Sequence, residues 1–257
     1  MANFEKSTQY HKWTFTKEEL VRKRDDSALY AMIRLYLFEE LMGFAARLSL
    51  RQRVLSTAQV YLSRVLTRIE ITEMNPYLLM AACVYIASRA EEQPIHIRTV
   101  SMEGRLMWPT FMPVEAWQLA ECEFYVLAEI ETCLVVHHPY DPLVILAKRL
   151  KLVSAELQAC WAVINDTYAT DIPLIFTPSV IAYTAIYIVL VLKPGLIPNR
   201  PAKQVKLRLD TLSAVLSADA TLDLRALMAC VQELLSLYAL KSDFDRGAIA
   251  EELKKRL

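Results

Sequence analysis

Asn75-Pro-Tyr-Leu-Leu-Met-Ala-Ala-Cys-Val-Tyr-Ile-Ala-Ser-Arg-Ala-Glu-Glu92 is the stretch that decides the fold of this chain. Asn75 is a favoured N-cap, and the proline after it suits the first helical position, where a missing N–H costs nothing. A second segment, beginning at Thr177-Pro178, repeats the cap-type residue, the proline and the long apolar run. Because the two copies lie about a hundred residues apart, they predict a duplicated helical unit rather than a short solenoid repeat.

Composition points to the same class. The 257 residues contain four glycines and are 54% hydrophobic, whereas strands joined by tight turns normally need more glycine. We therefore predict an all-α protein. Lysine plus arginine equals aspartate plus glutamate, at 29 each. Phosphate backbones require a basic surface, so we expect no direct nucleic-acid partner.

The pattern of cysteines and apolar segments excludes several classes. The five cysteines form no CxxC motif, which predicts buried, reduced thiols in a nuclear or cytosolic protein. The N-terminal residues show no secretory leader pattern. The uncharged segment 172–192 is long enough to cross a bilayer, which takes about 20 residues. Pro173 and Pro178 interrupt it, however, and a buried bundle helix explains it better than a membrane span.

The helix signals define the domain organisation. Capping boxes are predicted at Thr16–Glu19 and Ser49–Gln52, the first opening a short N-terminal helix. We predict five segments: 1–27, an N-terminal segment with that helix; 28–136, a first five-helix unit; 137–142, a stiff proline-bearing linker; 143–241, a second five-helix unit; and 242–257, a C-terminal helix or tail.

No pattern for catalysis is present. The sequence lacks GxGxxG, the P-loop, GxSxG and HExxH. The adjacent pair His137-His138 could bind a metal, but on a proline-rich connection it is more typical of a structural role. We therefore predict no catalytic, cofactor or metal site, and a non-enzymatic binding protein.

Three helical segments resemble the cyclin fold, which consists of two tandem five-helix boxes. Leu50–Arg64 resembles the second helix of a cyclin box, Asn75–Glu92 the third and Glu121–Leu127 the fifth. Within the family, three segments are similar to the cyclin C group, whose kinase belongs to the Mediator complex: 121–125, 138–140 and 165–171. The resemblance covers nearly the whole chain.

The resemblance implies a binding site for a cyclin-dependent kinase. Cyclins bind the kinase N-lobe beside its αC helix, anchored by a lysine at the end of the third helix and a glutamate in the fifth. Here these positions hold Arg89 and Glu123, and we add Tyr85 and Glu92 as neighbouring contacts. Arginine keeps the charge but has a planar fork, so this exchange changes the contact geometry. The alternative is that these charges are solvated helix positions that contribute little.

Two further surfaces are candidates for binding a partner, the first of them implied by the resemblance. Trp161, Asn165 and Asp166 share one helix face, which in this group would meet a further subunit of the Mediator kinase module. The alternative places Trp161 in the core, with the two polar residues bonding backbone. Tyr10 and Trp13 are either part of a partner surface or packed on the nearest domain.

A substrate-docking patch of cell-cycle cyclins is altered. At its position the chain has Ile33-Arg-Leu-Tyr-Leu37, with Glu40 where a tryptophan would stand. A charge there would spoil an apolar groove, so we expect no docking of this kind.

The resulting expectation is a nuclear, activating subunit of the Mediator-associated cyclin-dependent kinase. The alternatives are another transcriptional cyclin, similar to cyclins H, K or T, and a DNA-binding general transcription factor with a double cyclin fold. The latter would need a zinc ribbon and a basic surface, and the sequence offers neither.

Overall fold

Every regular element of the described residues is helical, which confirms the all-α prediction. The structure is a computed structural model. It describes residues 4–24, 27–113, 115–192, 202–218 and 223–256. The chain forms two compact units. The first contains Met1–Val136 together with Asp243–Leu257, and the second contains His137–Ser242.

The first unit is built around one buried helix, α5. Its helices are a 3-10 turn Phe4–Lys6, α1 Thr8–Trp13, α2 Lys17–Lys23, α3 Ala28–Arg47, α4 Gln52–Val65, α5 Pro76–Ala90, α6 Ile97–Met107 and α7 Ala116–Glu129, with α14 Arg246–Arg256 from the C-terminal segment. Helix α5 packs against α3, α4, α6 and α7. Its surroundings explain why the stretch is apolar on all sides.

The cap predicted for α5 is confirmed. The Asn75 side-chain oxygen accepts hydrogen bonds from the backbone N–H groups of Tyr77 and Leu78, at 3.0 and 3.4 Å. Its amide nitrogen donates to the carbonyl of Phe111 at 2.6 Å. One side chain therefore starts the helix and ties it to the loop before α7.

Several helices of this glycine-poor chain end on a non-glycine residue in the left-handed region. Ser49 (φ 52°), Glu92 (φ 55°) and Lys151 (φ 51°) occupy such positions. The amide after each donates to a carbonyl five residues earlier in the chain, as Leu50 does to Ala45 at 3.0 Å. This is the helix stop for which glycine is usually selected.

The second predicted capping box is wrong for this reason. Ser49 ends α3, and the residue that precedes α4 is Arg51, which makes no side-chain cap bond. The box at Thr16 and Glu19 is confirmed, with bonds in both directions at 3.3 and 2.8 Å.

The second unit surrounds the second copy of the repeat, α11. Its helices are α8 Tyr140–Arg149, α9 Ser154–Thr167, α10 Ile172–Ile175, α11 Pro178–Tyr187, α12 Ala202–Ala218 and α13 Leu224–Ser242, and a π-helical turn Ile188–Leu192 extends α11. Thr177 caps α11 by accepting from the Val180 N–H at 3.4 Å. Helix α11 packs against α8, α9 and α13.

The unit boundaries differ from the predicted segments in two places. Helix α8 begins at Tyr140, inside the predicted 137–142 linker. The C-terminal segment, predicted as a separate helix or tail, packs through α14 on α3 and is part of the first unit. The apolar residues Ile249 and Leu253, 7% and 0% exposed, hold α14 there.

The segment tested for membrane insertion is divided between α10, α11 and the π-helical turn. Among the described residues, no helix combines the length and apolar character needed to cross a bilayer. All five cysteines are free and buried, as predicted.

Candidate partner-binding site

Three of the four predicted kinase contacts lie together on the first unit. Arg89, in the last turn of α5, donates to the Glu123 carboxylate of α7 with an N–O distance of 2.5 Å. The Arg89 guanidinium also lies 5.3 Å from the centre of the Tyr85 ring, one turn earlier on α5. The packing of α5 on α7 brings the three side chains together.

The pair is presented unevenly to solvent. The Arg89 side chain is 54% exposed, whereas that of Glu123 is 13% exposed. Guanidinium has five N–H donors and its bond to Glu123 uses one of them, so Arg89 retains donors for carbonyl groups of a partner. Because Arg89 is largely exposed, we expect the pair to contribute only about 0–1 kcal/mol to stability, so little stability is lost if a partner rearranges it.

Glu92 lies outside this cluster. It follows the end of α5 and adopts the left-handed conformation that closes the helix, with an exposed side chain. The Gln93 amide completes the stop by donating to the Ser88 carbonyl at 2.8 Å. The backbone of Glu92 thus has a structural role independent of any side-chain contact.

Two exposed aromatic rings on α7 were missed by the sequence analysis. Phe124, beside Glu123, is 73% exposed, and Trp117 is 59% exposed. Seven residues separate them, so they fall on one stripe of the helix. The sequence of α7 could have indicated them, because it has more large apolar residues than one buried stripe can hold, so some must be exposed.

The N-terminal aromatic residues separate into two environments. Trp13 is 1% exposed and lies against the Arg64 and Arg68 guanidinium groups, 5.2 and 5.1 Å from its ring. Trp13 therefore belongs to the packed interior of the first unit rather than to a partner surface. Tyr10 is 42% exposed and makes an edge contact with Phe4.

Arg64, which sequence analysis did not single out, is a fully buried cation. It has no solvent exposure and donates to the Cys133 carbonyl at 2.7 Å. Its Nε and Nη2 have no hydrogen-bond partner among the described residues. Removal from water lowers the pKa of the Arg64 guanidinium to about 10. The Trp13 ring covers the Arg64 guanidinium.

In the second unit, the predicted partner face is held by side-chain contacts. The Trp161 ring stacks on that of Tyr140, with centres 4.4 Å apart. The same tyrosine donates through its hydroxyl to Asn165 Oδ1 at 2.9 Å. The Asp166 carboxylate accepts from Tyr238 at 3.1 Å and from Lys241 at 2.8 Å.

These bonds fix the orientation of all three predicted residues, each of which remains half-buried. Asn165 and Asp166 form hydrogen bonds with side chains, whereas the alternative considered above expected hydrogen bonds with the backbone. The face is thus held by side-chain contacts and partly accessible, and its role in partner binding stays a prediction.

Glu40, at the position where cell-cycle cyclins have the tryptophan of the docking patch, is buried. Its carboxylate accepts from Trp108 Nε1 at 2.7 Å and from Arg246 Nη2 of α14 at 2.6 Å. Its side chain is 7% exposed. Helix α14 therefore packs against the helix that carries the patch residues 33–37.

The described residues contain no group of three or more histidine, cysteine, aspartate or glutamate side chains placed to hold a metal ion. Burial raises the pKa of the Cys122 and Cys160 thiols to about 12, so neither is an activated nucleophile. The surface features described here suit the binding of another protein.

Comparison with known proteins agrees with this architecture. The family model for the N-terminal domain of cyclins matches residues 4–134. An RNA polymerase II holoenzyme cyclin-like subunit of Yarrowia lipolytica is 35% identical, over 92% of each chain. That of Aspergillus oryzae is 36% identical, over 98% of this chain and 96% of its own.

A solved structure shares the fold. It is a chain of the CAK complex of Chaetomium thermophilum bound to ATP-gamma-S, with a TM-score of 0.70, 16% identity and coverage of 98% of this chain and 87% of its own. Together with the duplicated helical unit, these matches confirm the resemblance inferred from the sequence. The chain belongs to the cyclin family, among the RNA polymerase II holoenzyme cyclin-like subunits.

Proposed function

We propose that this protein is the activating, non-catalytic subunit of the cyclin-dependent kinase of the Mediator complex, and that it acts in the nucleus on RNA polymerase II transcription. Membership of the cyclin family supports a regulatory rather than a catalytic role. The observation that carries the proposal is the exposed guanidinium of Arg89, bonded to the largely buried Glu123 and beside the exposed ring of Phe124.

The contact has both polar and apolar components. Arg89 offers unused donors to carbonyl groups, and the second carboxylate oxygen of Glu123 offers an acceptor to backbone N–H groups. A charge pair at an interface contributes little net affinity against its desolvation cost. Phe124 and Trp117 therefore supply most of the binding energy, as aromatic residues commonly do at the centre of interfaces.

Activation is a shift between two kinase conformations. In the active state, a lysine of strand β3 pairs with a glutamate of helix αC and the ATP phosphates are positioned. A rigid surface that binds only this state raises its population by its differential affinity. A shift from 1:99 to 99:1 takes about 5.5 kcal/mol. The kinase supplies all the chemistry.

The cell-cycle type of substrate docking has no place in this proposal. Glu40 is buried and bonded, and α14 lies on the same helix. We propose instead that Trp161, Asn165 and Asp166 contribute to binding a further subunit of the Mediator kinase module. Their fixed orientation supports this role, because little side-chain entropy is lost on binding.

The test is a pull-down with the recombinant Mediator kinase, followed by an activation assay. Arg89→Glu and Glu123→Lys should each lower affinity at least tenfold. The double variant restores the internal ion pair with reversed charges, and it should still bind weakly because the kinase groups face the wrong charges. Arg47→Glu is the matched control, since it reverses an exposed pair with Glu103 between α3 and α6.

Two results would contradict the proposal. If both reversals bind and activate as wild type does, Arg89 and Glu123 are not the anchors. If the wild-type chain binds none of the cyclin-dependent kinases in a panel, the kinase-activating function is wrong. Preference in that panel for a kinase of cyclins H, K or T would assign the chain to a different transcriptional complex.

A further inference from the structure

A basic cavity of about 670 Å³ opens on the first unit. Four segments line it: the end of α2, the start of α3, the residues after α4 and the last turn of α14. The lining residues are Arg22, Lys23, Arg24, Tyr30, Ile33, Arg68–Glu73 and Arg256. The site already described, around Arg89 and Glu123, shares none of these residues.

Charge is concentrated at this cavity. Five lining side chains are cationic, whereas two, Glu70 and Glu73, are acidic, an excess of three positive charges in the lining. Glu131 and Glu252, outside the lining, pair with two of the cations. The whole chain has a net charge of zero, so the excess is local. Asp25 and Asp26 follow α2 in the sequence but lie outside the described residues, and the count covers the described lining only.

Four of the five cations are arginines, whose planar forks match the geometry of phosphate oxygens. Arg68 bonds Glu131 through Nη2, and Arg256 bonds Glu252 through Nε at 3.1 Å. Each guanidinium has five N–H donors, so both keep donors for a ligand. The Arg24 guanidinium is held 5.5 Å from the Tyr30 ring, which orients it at the cavity.

The floor of the cavity is apolar. Ile33, Ile69 and Ile71 are 3–8% exposed and line it together with the half-buried Tyr30. The volume is far larger than a phosphate ion needs and falls within the range of about 300–1,000 Å³ typical of ligand pockets. Room beside the cations, above an apolar floor, suits the residues that flank a phosphorylated side chain.

We propose that this cavity binds a phosphorylated serine or threonine within a peptide segment of a protein partner. Arginine clusters are a recurrent means of recognising such segments. A nucleic acid is disfavoured because the positive charge is confined to one cavity, and the exposed Glu70 and Glu73 would repel a continuous phosphate backbone. The proposal stands apart from kinase activation, since the cavity belongs to a different set of residues.

The test uses the full chain and an immobilised peptide mixture with a fixed central phosphoserine and random flanking residues. The same mixture with unmodified serine is the reference. We expect at least tenfold more capture by the phosphorylated mixture. The double variant Arg22→Gln/Arg256→Gln should lose at least nine-tenths of that capture. Lys254→Gln/Lys255→Gln is the matched control. It also removes two positive charges, both from the last turn of α14, and neither lysine lines the cavity.

Competition and folding measurements complete the design. A soluble phosphopeptide mixture should compete well below the concentration at which inorganic phosphate does. Equal capture by both mixtures, equal loss in the control variant, or competition by inorganic phosphate or a single-stranded oligonucleotide at the phosphopeptide concentration would each overturn the proposal. Thermal melting verifies that the double variant is folded, and its unchanged binding to the kinase separates this proposal from the proposed function.

Discussion

Arg246, the first residue of the C-terminal helix, donates a 2.6 Å hydrogen bond to Glu40 in the middle of α3. The sequence distance between them is 206 residues. Trp108, the residue that ends α6, donates to the other oxygen of the same carboxylate. The buried Glu40 side chain of α3 therefore connects α6 and α14. This relationship makes the C-terminal helix part of the core of the first unit.

Replacing Glu40 should therefore destabilise the protein. Glu40→Ala leaves the Trp108 N–H and the Arg246 guanidinium without their acceptor, and we expect a loss of about 3 kcal/mol. Arg246→Ala should cost less, about 1–2 kcal/mol, because it removes one hydrogen bond to the carboxylate while Trp108 still donates to Glu40. Urea denaturation measures both. Arg47→Ala removes a pair whose carboxylate, Glu103, is more exposed than Glu40, 21% against 7%, and it should change stability by under about 0.5 kcal/mol.

Ser49→Gly should stabilise the protein. Ser49 ends α3 with a φ of 52°, a conformation that costs a residue with a Cβ about 1 kcal/mol relative to glycine. Part of that gain is offset by the greater freedom of glycine in the unfolded chain, so we expect a net increase of about 0.5 kcal/mol in the free energy of unfolding. Ser49→Ala keeps the Cβ and should show no gain. A destabilised glycine variant would contradict the argument.

Acid should weaken the attachment of α1. Glu131 accepts hydrogen bonds from Lys12 at 2.5 Å and from Arg68, and these bonds lower the pKa of the Glu131 carboxyl from its ordinary value of 4.5. A carboxyl with a lower pKa in the folded state stabilises the protein above its unfolded pKa, and this contribution disappears as pH falls below it.

Glu131→Gln should accordingly reduce stability at neutral pH and have a diminishing effect below about pH 4.5. Thermal melting of both proteins between pH 7 and 3 measures the difference. Glu251→Gln removes a carboxylate from an exposed position of α14 and serves as the control. A difference that grows as pH falls would contradict this sign.

Arg64 and Trp13 should respond differently to replacement. Arg64→Met removes a buried charge that has one hydrogen bond to described residues, and replacing buried charge by an apolar side chain is often neutral or stabilising. We expect a change within about 1 kcal/mol. Trp13→Ala should cost about 3–5 kcal/mol, since it opens a cavity over Arg64. Urea denaturation of both variants distinguishes the two cases, and an equal loss in both would contradict the account.

Phe124→Ser should weaken kinase binding without unfolding the protein. Phe124 is 73% exposed, so its replacement should change stability by under about 0.5 kcal/mol. Loss of an aromatic interface anchor typically costs about 2 kcal/mol or more, which is at least tenfold in affinity. Leu207→Ser on α12, where the side chain is 66% exposed, is the control and should bind normally.

The local signals of the sequence predicted the helices well. Asn75 and Thr177 each combine a side-chain acceptor with a following proline. Each satisfies backbone N–H groups in the first turn of its own helix, so the signal lies within a few residues of sequence. Arg89 and Glu123 came from the family resemblance rather than from local pattern, and the packing of α5 on α7 brings them together. Ser49 was wrongly predicted to cap α4 because it lies three residues before Gln52, which is the spacing of a capping box. In the structure Ser49 ends α3 instead.

Long-range contacts could not be predicted in this way. Arg64 lies on a helix that looked amphipathic, where arginine normally faces solvent. Its burial depends on Trp13 and on the segment after α7, and nothing near it in the sequence specifies either. The bond between Glu40 and Arg246 is of the same kind. Residues that meet across such distances are determined by the completed packing rather than by periodicity.

The return of α14 to the first unit has a consequence for synthesis. Residues 137–242, which form the second unit, leave the ribosome before α14 does. Translation proceeds at about 5–20 residues per second, so the 206 residues between Glu40 and Arg246 take about 10–40 s to synthesise. The nascent first unit thus lacks α14 until the second unit has been synthesised, and chaperones have that interval in which to bind it.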